Sequence, residues 1–86
     1  MNFQQALDAL KDGKYIAREN WNGKGMYVFL IGEKYDSGFG HWTYTNGKND
    51  NFILRPFIAM KTVDSEVVPW VASQTDILAE DWGVVK

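Results

Sequence analysis

The chain has 86 residues, no cysteine, and 9 Lys and Arg against 11 Asp and Glu, for a formal net charge of −2. These numbers exclude a disulfide framework, a thiol nucleophile and a cysteine-ligated zinc site. They also argue against a general DNA or RNA binder, which needs a basic face to neutralise several phosphates.

Residues 1–86 make one domain, and a chain this short buries only a little over ~60% of the surface its unfolded form exposes. Four Trp, four Tyr and five Phe give it a large apolar surface for its size, so a homo-oligomer that shares those aromatics is expected. The N-terminus lacks the basic segment and apolar run of a signal peptide, and no segment approaches the ~18 apolar residues of a membrane span. A soluble protein with no membrane partner is the expectation.

Along the chain, Asn2 followed by Gln5 has the form of a capping box, with Phe3, Ala6, Leu7 and Leu10 on one helical face and Gly13 as the stop. Lys14 to Arg18 alternates like a half-buried strand, and Asn20-Trp21-Asn22-Gly23-Lys24-Gly25 is a loop by composition. Met26 to Ile31 is apolar on both faces, so it is central in a sheet or covered by a second copy. Gly32 to Asn51 shows no clean period and suits one hairpin at Asn46-Gly47. Phe52 to Thr62 returns to strand with Pro56 near an edge or a strand start. A turn through Val63-Asp64-Ser65-Glu66 then makes an antiparallel hairpin with Val67 to Trp70. A short helix follows, and Trp82 to Val85 closes the sheet. The fold class is α+β, a small mainly antiparallel sheet with an N-terminal helix and a short C-terminal helix.

The stretch from Pro69 to Trp82 is the most informative. Ser73 and Asp76 ahead of Ile77-Leu78 read as a helix cap, while Gln74 and Thr75 are left over beside Trp70, whose flat face suits a planar ligand as well as a core. A structural cap beside a core tryptophan and a pocket wall both fit. Trp21, between two asparagines in a glycine-containing loop, either packs on its own sheet or projects toward a ligand or another subunit. Arg55 and Lys61 are candidate phosphate partners, Arg55 because its planar fork bonds two oxygens at once, or else plain surface charges.

Candidates for catalysis are thin. His41, the only histidine, has no base or nucleophile at an identifying spacing. Asp76 and Glu80 have the i,i+4 spacing of an ordinary short helix. Gly23-Lys24-Gly25 is a tight turn, too short for a phosphate loop. No catalytic residue, metal or cofactor is assigned, and the chain is not read as an enzyme.

Taken together, Asn2-Phe3 with Ala6-Leu7 and Leu10, Trp21 to Met26, Arg55-Pro56, Met60-Lys61-Thr62, and above all Val68 to Trp70 with Ser73 to Trp82 resemble the small phage-encoded Thoeris anti-defence proteins of the second type. The resemblance spans the chain apart from Gly32 to Asn51, and the turn at Val63 to Glu66 lacks the glycine of that family's hairpin. It implies a non-enzymatic sponge in the host bacterial cytoplasm, a homotetramer that captures a cyclic nucleotide immune signal before that signal activates a NAD-destroying effector. The implied ligand is a glycocyclic form of ADP-ribose, with cyclic dinucleotides at separate pockets in some members. Carried onto this chain, Trp21 and Trp70 would stack on adenine and Ser73, Gln74, Thr75 and Asp76 make polar contacts, with Asp76 on a ribose hydroxyl or the adenine amino group. Asn22, Met26 and Arg55 complete the set, with phosphate left to Arg55 or a neighbouring subunit. A protein-interaction module using the same aromatics as hot spots and a small hydrolase that destroys the signal are the alternatives.

Overall fold

The computed structural model describes residues 1–21, 25–32, 43–45, 51–53 and 55–85. Helix α1 (Phe3–Lys11) opens on a complete capping box. The Asn2 side chain accepts the Gln5 N–H and the Gln5 side chain accepts the Asn2 N–H, each at 2.9 Å. It ends at Gly13, whose φ of +84° suits glycine and whose N–H closes on the Leu10 carbonyl at 2.9 Å.

Strands β1 (Tyr15–Arg18), β2 (Tyr27–Ile31), β5 (Phe57–Lys61), β6 (Val67–Pro69) and β7 (Trp82–Val85) form one antiparallel sheet in the order β6-β5-β2-β1-β7. The doubly apolar β2 is thus central, the first of the two places its composition allows. A separate two-stranded pair, β3 (Thr43–Thr45) with β4 (Asn51–Ile53), realises a hairpin in the expected region, and its Asn46-Gly47 lies outside the described residues. Pro56 stands just ahead of β5, where its missing N–H costs no ladder bond. The β5–β6 turn closes with the Thr62 N–H donating to Glu66 O at 2.8 Å, and Ser65 takes the positive φ of 63° that a glycine would hold without strain.

Because side chains alternate across a strand, the register divides the sheet into two faces. Ile16 and Val28 lie opposite each other, as do Val28 and Met60, and Arg18 and Trp82. These residues face α1. Ala6, Leu10, Ile16, Val28 and Trp82 form the buried core there, with Phe3, Trp21, Leu30, Ile58, Met60 and Trp70 packed against it. Burying Leu10 alone contributes about 1.5–3 kcal/mol. The other face carries Tyr15 and Tyr27, stacked at 4.6 Å, with Phe29 tilted against both.

Both sheet edges are blunted. At β6, Pro69 removes an outward donor. At β7, the Trp82 N–H donates to Met1 O at 3.1 Å and the N-terminal ammonium donates to Trp82 O at 2.8 Å.

Candidate ligand-binding site

The three described tryptophans meet at one end of the core. Trp82 is 3% exposed and acts as the hub. Trp21 lies 5.5 Å from it at an interplanar angle of 81°, Trp70 6.0 Å at 84°, and Trp21 and Trp70 are 6.3 Å apart at 75°. Edge-to-face contact sets the positive edge of one ring on the negative face of the next. Trp21 and Trp70 remain half-buried.

Local structure explains their positions. Trp21 ends a 3-10 turn (Glu19–Trp21) that continues β1 and is tied down by the Glu19 N–H donating to Asp81 O at 3.0 Å. Trp70 follows β6 and donates its backbone N–H to Ile58 O at 3.0 Å, which keeps it on the core face. The loop tryptophan of the sequence is therefore a core-packed residue with a solvent-facing side.

Helix α2 (Gln74–Leu78) begins at Ser73 with a full capping box. Asp76 Oδ2 accepts the Ser73 N–H at 2.9 Å and its hydroxyl at 2.8 Å, while Ser73 Oγ accepts the Asp76 N–H at 3.2 Å. Asp76 Oδ1 accepts from Arg18 Nη1 at 3.0 Å. Both carboxylate oxygens are thus engaged within the chain, and one acceptor position on Oδ1 remains. Gln74 and Thr75 are exposed on the first turn, and their side chains bond to none of the described residues.

Arg18 was not singled out by sequence. Its Nε donates to Asp81 Oδ1 at 3.0 Å while Nη1 serves Asp76, so one guanidinium joins the end of β1 to both ends of the α2 segment. Burial pushes the Asp76 carboxyl up, but the Ser73 N–H and hydroxyl and the Arg18 guanidinium together hold it below its ordinary value. The Arg18 hydrogen bond holds Asp81 down as well, and the bonds to Asp81 and Asp76 raise Arg18. The signal for Arg18 was available in the period of two. It shares a face with Ile16, and an arginine on a core-facing position calls for acidic partners.

The remaining candidates stand apart. Met26 is half-buried just ahead of β2, and Arg55 is exposed beside Pro56. Lys61 points away from the tryptophans, donating to Gly25 O at 2.8 Å with its ammonium 5.6 Å from the Tyr27 ring centroid. Asn22 and His41 lie outside the described residues. Glu80 falls beyond α2, so it does not share with Asp76 the short helix that their spacing suggests. Among the described residues no group of three or more His, Cys, Asp or Glu could hold a metal, and no helix is long and apolar enough to cross a membrane. An open cleft of about 350 Å³ runs beside the cluster, lined by Ala17, Arg18 and Glu19 of one strand and Asp81 to Val85 of the next. None of the predicted site residues lines it; Arg18 and Trp82, which bond Asp76, are the link between them.

The fold is an α+β sheet packed on one helix, with two half-buried tryptophans held on a buried third beside a capped turn. Residues 1–85 match the Tad2-like family, the Thoeris anti-defense 2-like domain, and the chain belongs to it. It is 42% identical over 88 residues to "Thoeris anti-defense 2" of Bacillus phage SP01, covering 99% of this chain and 94% of that protein.

Proposed function

We propose that this chain is a phage anti-Thoeris protein that works in the host cytoplasm by capturing a cyclic nucleotide immune signal, a glycocyclic ADP-ribose or a cyclic dinucleotide, without degrading it. The observation that carries the reading is the pair Trp21 and Trp70, half-buried and held edge-on against Trp82, whose indole also bonds the α2 turn that carries the exposed Gln74 and Thr75. Aromatic walls fixed by a core lose little freedom on binding, which is what tight capture needs. Turnover is disfavoured by the state of the converging carboxylates. Asp76 and Asp81 are paired to Arg18 and held below their ordinary value, the reverse of what a general acid requires.

A cyclic ADP-ribose isomer has roughly 35 non-hydrogen atoms, so at about 0.3 kcal/mol per atom its affinity approaches 10 kcal/mol, on the order of tens of nanomolar. Exposed Val71 and Leu78, 88% and 77% accessible, leave apolar surface that self-association would cover. The same exposure favours the second reading, a module that binds a host protein.

The test is to incubate the purified protein with glycocyclic ADP-ribose isomers and cyclic dinucleotides, remove it by filtration, and heat it. Depletion from the filtrate followed by intact release supports capture. Altered nucleotide after release would favour a hydrolase, and full recovery in the filtrate would remove the sponge reading in favour of the protein-binding module.

A further inference from the structure

We infer that Arg18 is a positioning residue for this site, acting through Asp76 and Asp81 to hold the α2 turn, and with it Gln74 and Thr75, in register with Trp21 and Trp70. The inference deepens the capture reading and rests on it.

The α2 helix has five residues and buries none of them, and a single turn cannot sustain itself in water. What fixes it is tertiary. Arg18 ends β1, three residues before Trp21, and its side chain is 14% exposed between Asp76 at 15% and Asp81 at 28%. One edge of the guanidinium addresses the start of α2 and the other the entry to β7. At the same place the Trp82 indole N–H donates to the Asp76 carbonyl at 2.9 Å, so the hub of the tryptophan cluster and Arg18 grip the same residue from two sides.

The chemistry is particular to arginine. A planar fork offers two donors at a fixed angle, whereas the ammonium of lysine is a point charge that reaches one carboxylate at a time. Loss of the cation would leave two partly desolvated carboxylates facing each other, and they relax only by swinging the α2 turn toward solvent. Asp76 would then draw on the Trp82 indole, and Gln74 and Thr75 would lose their relation to Trp70.

The experiment measures Arg18→Gln, Arg18→Lys, Asp76→Asn and the Arg18→Gln/Asp76→Asn double variant. The readouts are the tryptophan indole N–H resonances and the affinity for a glycocyclic ADP-ribose isomer, both well below the melting transition. Expected are a displaced, faster-exchanging Trp82 indole proton and roughly tenfold weaker capture in Arg18→Gln, within the range of coupling between neighbouring residues, partly restored in Arg18→Lys. If Arg18 acts through Asp76, the double variant binds about as weakly as the weaker single variant.

Independent, multiplying losses would mean that Arg18 does not act through Asp76 and would overturn the inference, as would parental affinity in folded Arg18→Gln. Should the parent protein capture no probe, the capture reading fails. The indole resonance then decides the positioning claim alone, with an unmoved Trp82 signal refuting it. If Arg18→Gln does not fold, Arg18→Lys carries the same comparison.

Discussion

Replacing Trp70 with alanine separates the structural share of this residue from its share in binding. Full removal of a buried tryptophan costs about 3–5 kcal/mol. Trp70 is half-buried, with edge contacts to Trp82 at 6.0 Å and Trp21 at 6.3 Å, so a loss of about 2 kcal/mol is expected. For a domain of this size that lowers Tm by roughly 8–16 °C, which leaves a protein of ordinary stability folded at low temperature. There the loss of one base-stacking surface, about 1–3 kcal/mol, weakens binding by roughly 5- to 150-fold. Thermal unfolding gives the first number and titration calorimetry with a glycocyclic ADP-ribose isomer the second. Trp70→Phe keeps a π-face and stays closer to the parent in both. Folded Trp70→Ala and Trp21→Ala variants that both bind with parental affinity would refute the stacking assignment.

Ser73→Ala removes both hydroxyl bonds of the α2 cap and is expected to cost about 1 kcal/mol, read as a fall in Tm of roughly 4–8 °C. Ser73→Thr keeps the cap and most of the stability. The carboxylates Asp76 and Asp81 are both held below their ordinary value of 3.8 in the fold. Their stabilisation is therefore complete above that pH and is lost as pH falls through the lower folded values. Urea midpoints should accordingly be level from neutrality down to about pH 5 and drop below about pH 4, and Arg18→Gln, which lets both folded values rise toward the unfolded one, should shrink that drop. Gly32 is buried at φ +146°, and a Cβ there would lie 2.9 Å from Pro56 Cα. Gly32→Ala is expected to destabilise by more than 1 kcal/mol, while Gly83→Ala, with nothing within 4 Å of the added carbon, should melt near the parent.

The parts of this fold that were legible are those in which local chemistry and tertiary packing ask for the same thing. The Asn2-Gln5 box, the doubly apolar Met26 to Ile31 and the Ser73-Asp76 cap each specify a local geometry that packing then uses. The end of α2 short of Glu80 has a specific cause. In a continuing helix the Asp76 carbonyl would accept the Glu80 N–H, but the Trp82 indole donates there instead at 2.9 Å, and Ala79 turns extended at φ −71° and ψ 151°. The competing donor is only six residues from Asp76, but its indole reaches back to α2 only because β7 is docked in the sheet. Trp82 itself was legible as a strand residue, but its place as the hub depends on the Arg18–Trp82 register, a pairing between residues far apart in the chain.

The geometry of the tryptophans also decides how a base could be held. A sandwich needs two nearly parallel rings roughly 7 Å apart, two contact distances. Trp21 and Trp70 instead meet edge to face, 6.3 Å apart and inclined at 75°, with no gap between them. One adenine can therefore lie flat on one ring while meeting only the edge of the other. Each tilt is set independently by an edge contact to Trp82 at 81° or 84°, so turning either ring parallel to the other would sacrifice a contact worth about 0.5–1.5 kcal/mol. The alanine variants should then be unequal, with a stacking-sized loss for the ring that serves as platform and a loss below about 1 kcal/mol for its neighbour. Calorimetry on both folded variants reads this directly. Equal stacking-sized losses would mean that the rings swing parallel around the ligand and that the fixed cluster is not the bound form.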